Sequence, residues 1–171
     1  HNHDVRPALA NYLREYGAGV DFDTVVAQAS PDIQRLFRRD VLPGGKNFGT
    51  EAAYAAARDT HLPALRRLYQ EYFAQTQTAA MIFPTTLVPA PRIGEETTLE
   101  VRGHRLPFET AVARNIAPGS TAGVPGLVLP AGLTRDGLPV AIELDAPAQS
   151  DRALLALGLS VERVLGPLPP V

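Results

Sequence analysis

Short apolar runs in the second half of the chain constrain its fold most. Ala79–Phe83 and Gly126–Leu129 are continuous and apolar, the pattern of strands buried on both faces. Arg135-Asp136-Gly137 reads as a hairpin turn, and Val140-Ala141-Ile142-Glu143-Leu144 as the strand returning from it. Three strands leave two open edges, and strands buried on both faces need neighbours. The pattern therefore implies that part of a sheet is missing. A smaller, exposed hairpin is expected where Leu99-Glu100-Val101 and Arg105-Leu106 flank Gly103.

The first half has helical spacing. Val5, Leu9, Tyr12, Leu13 and Tyr16 share one face of a helix that Asp4 can cap and that Gly17-Ala18-Gly19 ends. A short helix is expected over 23–29. Ser30-Pro31-Asp32 is a cap, a Pro at the first helical position and an acid, and it opens another helix that runs to about Asp40. Pro43-Gly44-Gly45 breaks the chain. Thr50 then caps a long stretch to about Gln77 whose stripe is Leu65, Leu68, Tyr69, Tyr72 and Phe73, with Pro63 expected to kink or split it. Residues 108–117 read as a helix. Ser150-Asp151 opens a last one to about Leu165, ahead of the tail Pro167-Leu168-Pro169-Pro170.

These elements predict the α/β class: helices over 4–77, sheet strands near 79–84, 126–130 and 138–144, and a terminal helix over 150–165. Residues 1–78 are mainly helical, and 79–171 carry the sheet. At 171 residues, 45% hydrophobic and 20% charged, the chain has the balance of an ordinary globular domain. A net charge of −2 gives no electrostatic reason to bind nucleic acid or an anionic membrane. No stretch approaches the roughly 18 apolar residues of a membrane span. The absence of cysteine removes disulfides and thiolate chemistry and fits a reducing cytoplasm. The start at His1, directly before a helical pattern, suggests a chain cut from something longer.

Few residues invite a chemical reading. Gly44-Gly45-Lys46 lacks the other positions of a phosphate loop, because Asp40 and Asn47 stand where Gly and Ser or Thr belong. A flexible turn accounts for it better. His1 and His3 at a chain end read as solvated, and His61 and His104 have no ligand at metal-site spacing. No metal or cofactor is expected. Of the four serines, Ser30 and Ser150 read as helix caps and Ser160 lies inside the last helix. Only Ser120, in Pro118-Gly119-Ser120-Thr121-Ala122-Gly123, remains as a nucleophile, and it reads as a structural loop residue with no Gly-x-Ser-x-Gly elbow around it. The arginines at 35, 38, 39, 66 and 67 read as a solvated face.

Four blocks in series carry a family resemblance. They are Phe83-Pro84-Thr85-Thr86, then Gly119 to Gly132, then Gly137-Leu138-Pro139-Val140, then Asp151-Arg152-Ala153-Leu154-Leu155. In this order and spacing they resemble the C-terminal part of the amidase signature family. The match is good over 79–165 and looser over 4–78. His3-Asp4-Val5-Arg6-Pro7-Ala8-Leu9 and Arg114-Asn115 look most like its bacterial arylamide branch, such as the mandelamide and indoleacetamide hydrolases. Leu87, where the family often has Pro, and Ser120, where many members have Asn, are departures within loops.

The resemblance implies a single C-terminal fragment of an α/β/α amidase domain. Its enzyme would hydrolyse a carboxylic amide, aryl or arylalkyl, to acid and ammonia through a serine acyl-enzyme. The Gly/Ser-rich segment that supplies the family's nucleophilic serine, its cis-peptide serine and its oxyanion donors is absent here, and so is the upstream lysine. Lys46 cannot take that role. Acyl transfer needs all of these groups together, so no catalytic residue is assigned and the chain alone is expected to be inactive. Its expected place is to complete the sheet and line the acyl pocket. Pocket candidates are Phe83, Thr85, Thr110, Ala113, Arg114 and Ala117. Thr110, Ala113 and Ala117 sit at spacings of 3 and 4 on one helix face, and that face either accepts an acyl group or packs closely on the sheet. Expected partners are a small amide substrate in the intact enzyme and either the missing N-terminal part of the amidase or a second copy of the chain. The alternative is a non-catalytic binding or assembly module on an amidase-fold remnant. A serine hydrolase built on Ser120 would need a His or Lys at hydrogen-bond distance from that residue.

Overall fold

The computed structural model describes residues 2–17, 19–94 and 97–167. His1, Ala18, Glu95, Glu96 and the tail residues 168–171 lie outside them, so His1 of the chain-end His pair, the middle of the Gly-Ala-Gly stop and the end of the Pro-rich tail are not described. The chain divides into two compact units, at residues 1–61 and 62–171.

The first unit is helical. α1 spans Asn2–Tyr16, α2 Phe22–Gln28, α3 Pro31–Leu36 and α4 Glu51–Ala56, with π-helical turns at Phe37–Val41 and Ala57–His61. Thr50 caps α4 as expected, its side chain accepting from Ala53 N. Asp4 does not cap. The helix starts earlier, and Asp4 is a first-turn acid that takes the Tyr54 hydroxyl proton in a hydrogen bond. Ser30 holds the cap position of α3 but makes no side-chain cap bond there. Phe22 and Val41 are buried, and Phe22 packs at 5.8 Å on Phe37. His3 is not solvated as its place near the chain end suggests: its side chain is 9% exposed, and its ring stacks on Phe48 and Tyr54 at 3.9 and 4.8 Å.

The Gly-Gly-Lys turn has a packing reason. A side chain at Gly45 would run into the carbonyls of Arg38 and Arg39. Gly45 N donates to Leu42 O and Asn47 N to Arg39 O. Those donors are spent within the turn, so they cannot cradle a phosphate.

The second unit opens with α5, Leu62–Thr76. Pro63 comes just after the π-helical turn Ala57–His61, so the stretch from Glu51 to Thr76 stays helical and is irregular there instead of breaking at the proline. The sheet follows as β1 (Met81–Pro84), β4 (Gly126–Leu133) and β5 (Pro139–Asp145) in the order β1-β5-β4, with both pairings antiparallel. β2 (Thr98–Val101) and β3 (His104–Pro107) form the small separate hairpin. The helices α6 (Phe108–Ala113), α7 (Ile116–Ala122) and α8 (Asp151–Leu165) complete the unit.

One sheet face packs on α8. Leu129, Leu144, Ala146 and Leu154 form its buried cluster, with Leu127, Ile142 and Val161 around it. Gly158 lets α8 approach, because a side chain there would strike Leu127. The strands are not buried on both faces throughout. Ile82 on β1 and Val128 on β4 are more than or about half exposed. These outer strands have one paired edge each among the described residues. Ser150 precedes α8 but donates its hydroxyl to Pro147 O instead of capping.

Candidate functional site

The candidate pocket gathers at the end of β1. The loop from Thr85 is tied down at three points. Thr85 N donates to Ala141 O at 3.1 Å, Leu87 N to Ala111 O at 3.2 Å, and Asn115 Nδ2 to Pro84 O at 2.7 Å. Thr86 Oγ1 closes a local turn on Val88 O. The residues expected to form one helix over 108–117 form α6 and α7 instead, with Arg114 and Asn115 between them. The break frees the Asn115 side chain to hold the loop.

Thr110, Ala113, Arg114 and Ala117 nevertheless line one open hollow of about 390 Å³, together with Glu109. Thr85 borders a different groove, about 540 Å³, which runs from Pro84–Ala90 across Val128 and Pro130 to Pro139–Ala141. Arg114 and Asn115 also edge a third hollow, about 770 Å³, shared with the β2–β3 hairpin. Phe83 lines neither of the first two. It lies half-buried in the sheet, opposite Glu143. The structure thus brings four of the six candidates together and places Thr85 and Phe83 apart from them. Thr85 Oγ1 is buried with no hydrogen-bond partner among the described residues.

Sequence reasoning missed a second polar cluster. Glu143 and Asp145 on β5 point to the face away from α8 and are buried. The Tyr69 hydroxyl reaches Asp145 Oδ2 at 3.5 Å, a long bond. Burial pushes the Glu143 carboxyl above its ordinary value, and the neighbouring Asp145 charge adds to the effect. Burial also raises Asp145, against the pull of the Tyr69 bond. Tyr69 is raised by burial and by the charge on Asp145. The available signal was the spacing of two acids, two residues apart in an otherwise apolar strand, which puts both on one face.

Ser120 is not in a loop but in α7, exposed, and among the described residues no His or Lys hydrogen-bonds it. No described helix is long and apolar enough to cross a membrane.

A sheet with helices against it and looped hollows at one strand end defines an α/β unit of the kind that carries a small-molecule site at its strand ends. Comparison with known proteins makes this specific. The model of the Amidase family matches residues 8–155, so the chain belongs to the amidase family. Indoleacetamide hydrolase of Agrobacterium vitis is 35% identical over 159 residues, which are 92% of this chain and 33% of that protein. Mandelamide hydrolase of Pseudomonas putida is 37% identical over 174 residues, 96% of this chain and 33% of that protein. A crystal structure of an amidase superposes with a TM-score of 0.67 at 29% identity, covering 90% of this chain and 31% of that one. The chain spans about a third of the length of the curated relatives it matches.

Proposed function

We propose that this chain supplies the acyl-pocket wall and part of the central sheet of a carboxylic amide hydrolase. The observation that carries the reading is the hollow bounded by Thr110, Ala113 and Ala117. Its small side chains leave room for a planar or branched acyl group, and Arg114 stands at its edge to meet a polar substituent. The relatives that act on indoleacetamide and mandelamide support an aryl or arylalkyl amide as substrate. The products are the carboxylic acid and ammonia, formed through a serine acyl-enzyme.

The chain contributes no nucleophile to this reaction. Its 171 residues contain one lysine, Lys46, and no Gly/Ser-rich stretch around any serine. Activity therefore requires a polypeptide carrying the serine pair and lysine. The half-exposed Val128 and the exposed Ile82 on the outer strands suit a partner that continues the sheet. The N-terminal part of an amidase, or a second copy of this chain, would cover them.

Ala117→Phe tests the pocket. In the protein combined with the segment that bears the serines, it is expected to lower kcat/KM for mandelamide while sparing acetamide. Equal losses on both amides would remove the hollow from the acyl site.

A further inference from the structure

We propose that Glu143 and Asp145 form a proton-loaded pair, in which the folded second unit holds on Glu143 a proton that the unfolded chain releases, and that losing it unseats α7 from the sheet.

Glu143 is 7% exposed and Asp145 2%. A side chain built on Gly126 would lie 3.1 Å from Glu143 Oε1 and 3.1 Å from Asp145 Oδ1. The two oxygens are therefore no further apart than twice that distance. Glu143 Oε2 is shut off from solvent and has no hydrogen-bond partner among the described residues. A buried carboxylate needs neutralising. A water, an ammonium group or a guanidinium needs room beside that oxygen, whereas a proton needs none.

No cation on the surrounding elements does the work. β1 faces the pair with Met81 and Phe83, and β4 with Gly126 and Val128. From α7 come Gly119 and Ala122, both buried. From α5 comes Tyr69, which bonds Asp145, while Arg66 gives its Nε to Ala122 O. Among these described neighbours Tyr69 is the other group that titrates, and it does so far above neutrality. Asp145 thus keeps one hydrogen bond and Glu143 Oε2 none.

The pair also supports a wall of the pocket. Any side chain on Gly119 would collide with the Asp145 carboxyl, so α7 rests directly on that group. α7 also carries Ala117, which lines the hollow. A second negative charge beside Asp145 acts on the seat of this helix.

The linkage follows. Burial raises both carboxyls from their ordinary values when folded, so the folded state binds more protons over that shift. Stability is then fully present below the unfolded value and lost as pH rises through the folded one. The carboxyls held low, such as Asp40, titrate on the acid side of this window and the tyrosines on its alkaline side; imidazole and α-amino groups change charge inside it, so the pair's share is the difference between wild type and Glu143→Gln.

The test is urea unfolding of the whole 171-residue protein across about pH 5 to pH 9, with infrared detection of protonated carboxyl. The wild-type midpoint is expected to fall as pH rises, and that of Glu143→Gln to fall less steeply. The wild-type protonated-carboxyl band is expected to persist to higher pH than that of E143Q. Asp145→Asn, which removes the neighbouring charge, should flatten the slope as well. A level or rising wild-type midpoint overturns the proposal, as does an E143Q slope equal to wild type. If E143Q does not fold, the wild-type slope and the D145N infrared spectrum decide the matter.

Discussion

Leu154 and Leu155 are neighbours on α8, and truncating each to alanine measures how much of this helix's burial holds the second unit together. Leu154 is 4% exposed within the cluster of Leu129, Leu144 and Ala146, while Leu155 is 59% exposed. Each change removes three carbon-sized groups, worth about 0.8 kcal/mol apiece when fully buried. For Leu154 that comes to about 2.4 kcal/mol, and the cavity left behind brings it to about 3 kcal/mol, near the low end for such sites because this cluster is small. For Leu155, with less than half its surface covered, the same reckoning gives about 1 kcal/mol. Helix propensity favours alanine by a few tenths in both and cancels in the comparison. Urea unfolding at matched dilute concentration therefore should separate L154A from L155A by about 2 kcal/mol. Equal midpoints, or a larger loss in L155A, would refute this placement of α8 on the sheet.

Two further outcomes follow from close contacts and charge. Gly119→Ala gains helix propensity of up to about 1 kcal/mol, yet it should destabilise the unit, because its methyl group lands on the buried Asp145 carboxyl. Thermal melts of G119A against the exposed-site control A117G check this, and a more stable G119A would contradict the packing of α7. On the acid side, Asp40 is held low first by the Arg39 guanidinium and then by Asn47, and Asp21 by Thr24. Depressed carboxyls add stability above their unfolded values and lose it as pH falls through the folded ones. Acid titration of the first unit's helical signal should thus show loss only below about pH 4, and an Asp40→Asn variant should be less sensitive to acid there.

Much of the architecture was legible because it rests on local chemistry. Thr50 caps α4, Gly103 turns the small hairpin and Arg135-Asp136-Gly137 turns β4 into β5, each as its residue types demand. The misplaced details depend on which partner a polar side chain finds. Asp4 reads as a cap by position, but Tyr54, fifty residues away, claims its carboxylate. Ser150 reads the same way, but it finds Pro147 O. The spacing of Thr110, Ala113 and Ala117 put on one face three residues that line one hollow, although the helix breaks between them at Arg114 and Asn115, where Asn115 holds Pro84 O. Glu143 and Asp145 stayed hidden because a strand's alternation says which residues share a face, not which face is covered. Only the packing of Tyr69, Gly119 and Gly126 shows that both acids are buried.

The most direct test of the account is ammonia release by the purified 18.3 kDa chain, its intact mass confirmed on the same sample. Mandelamide and indoleacetamide serve as substrates, with and without a polypeptide carrying the family's serine pair and lysine. The account predicts no release from the chain alone and release once the two are combined, reduced by Ala117→Phe. Ammonia from the chain alone would contradict it and return attention to Ser120.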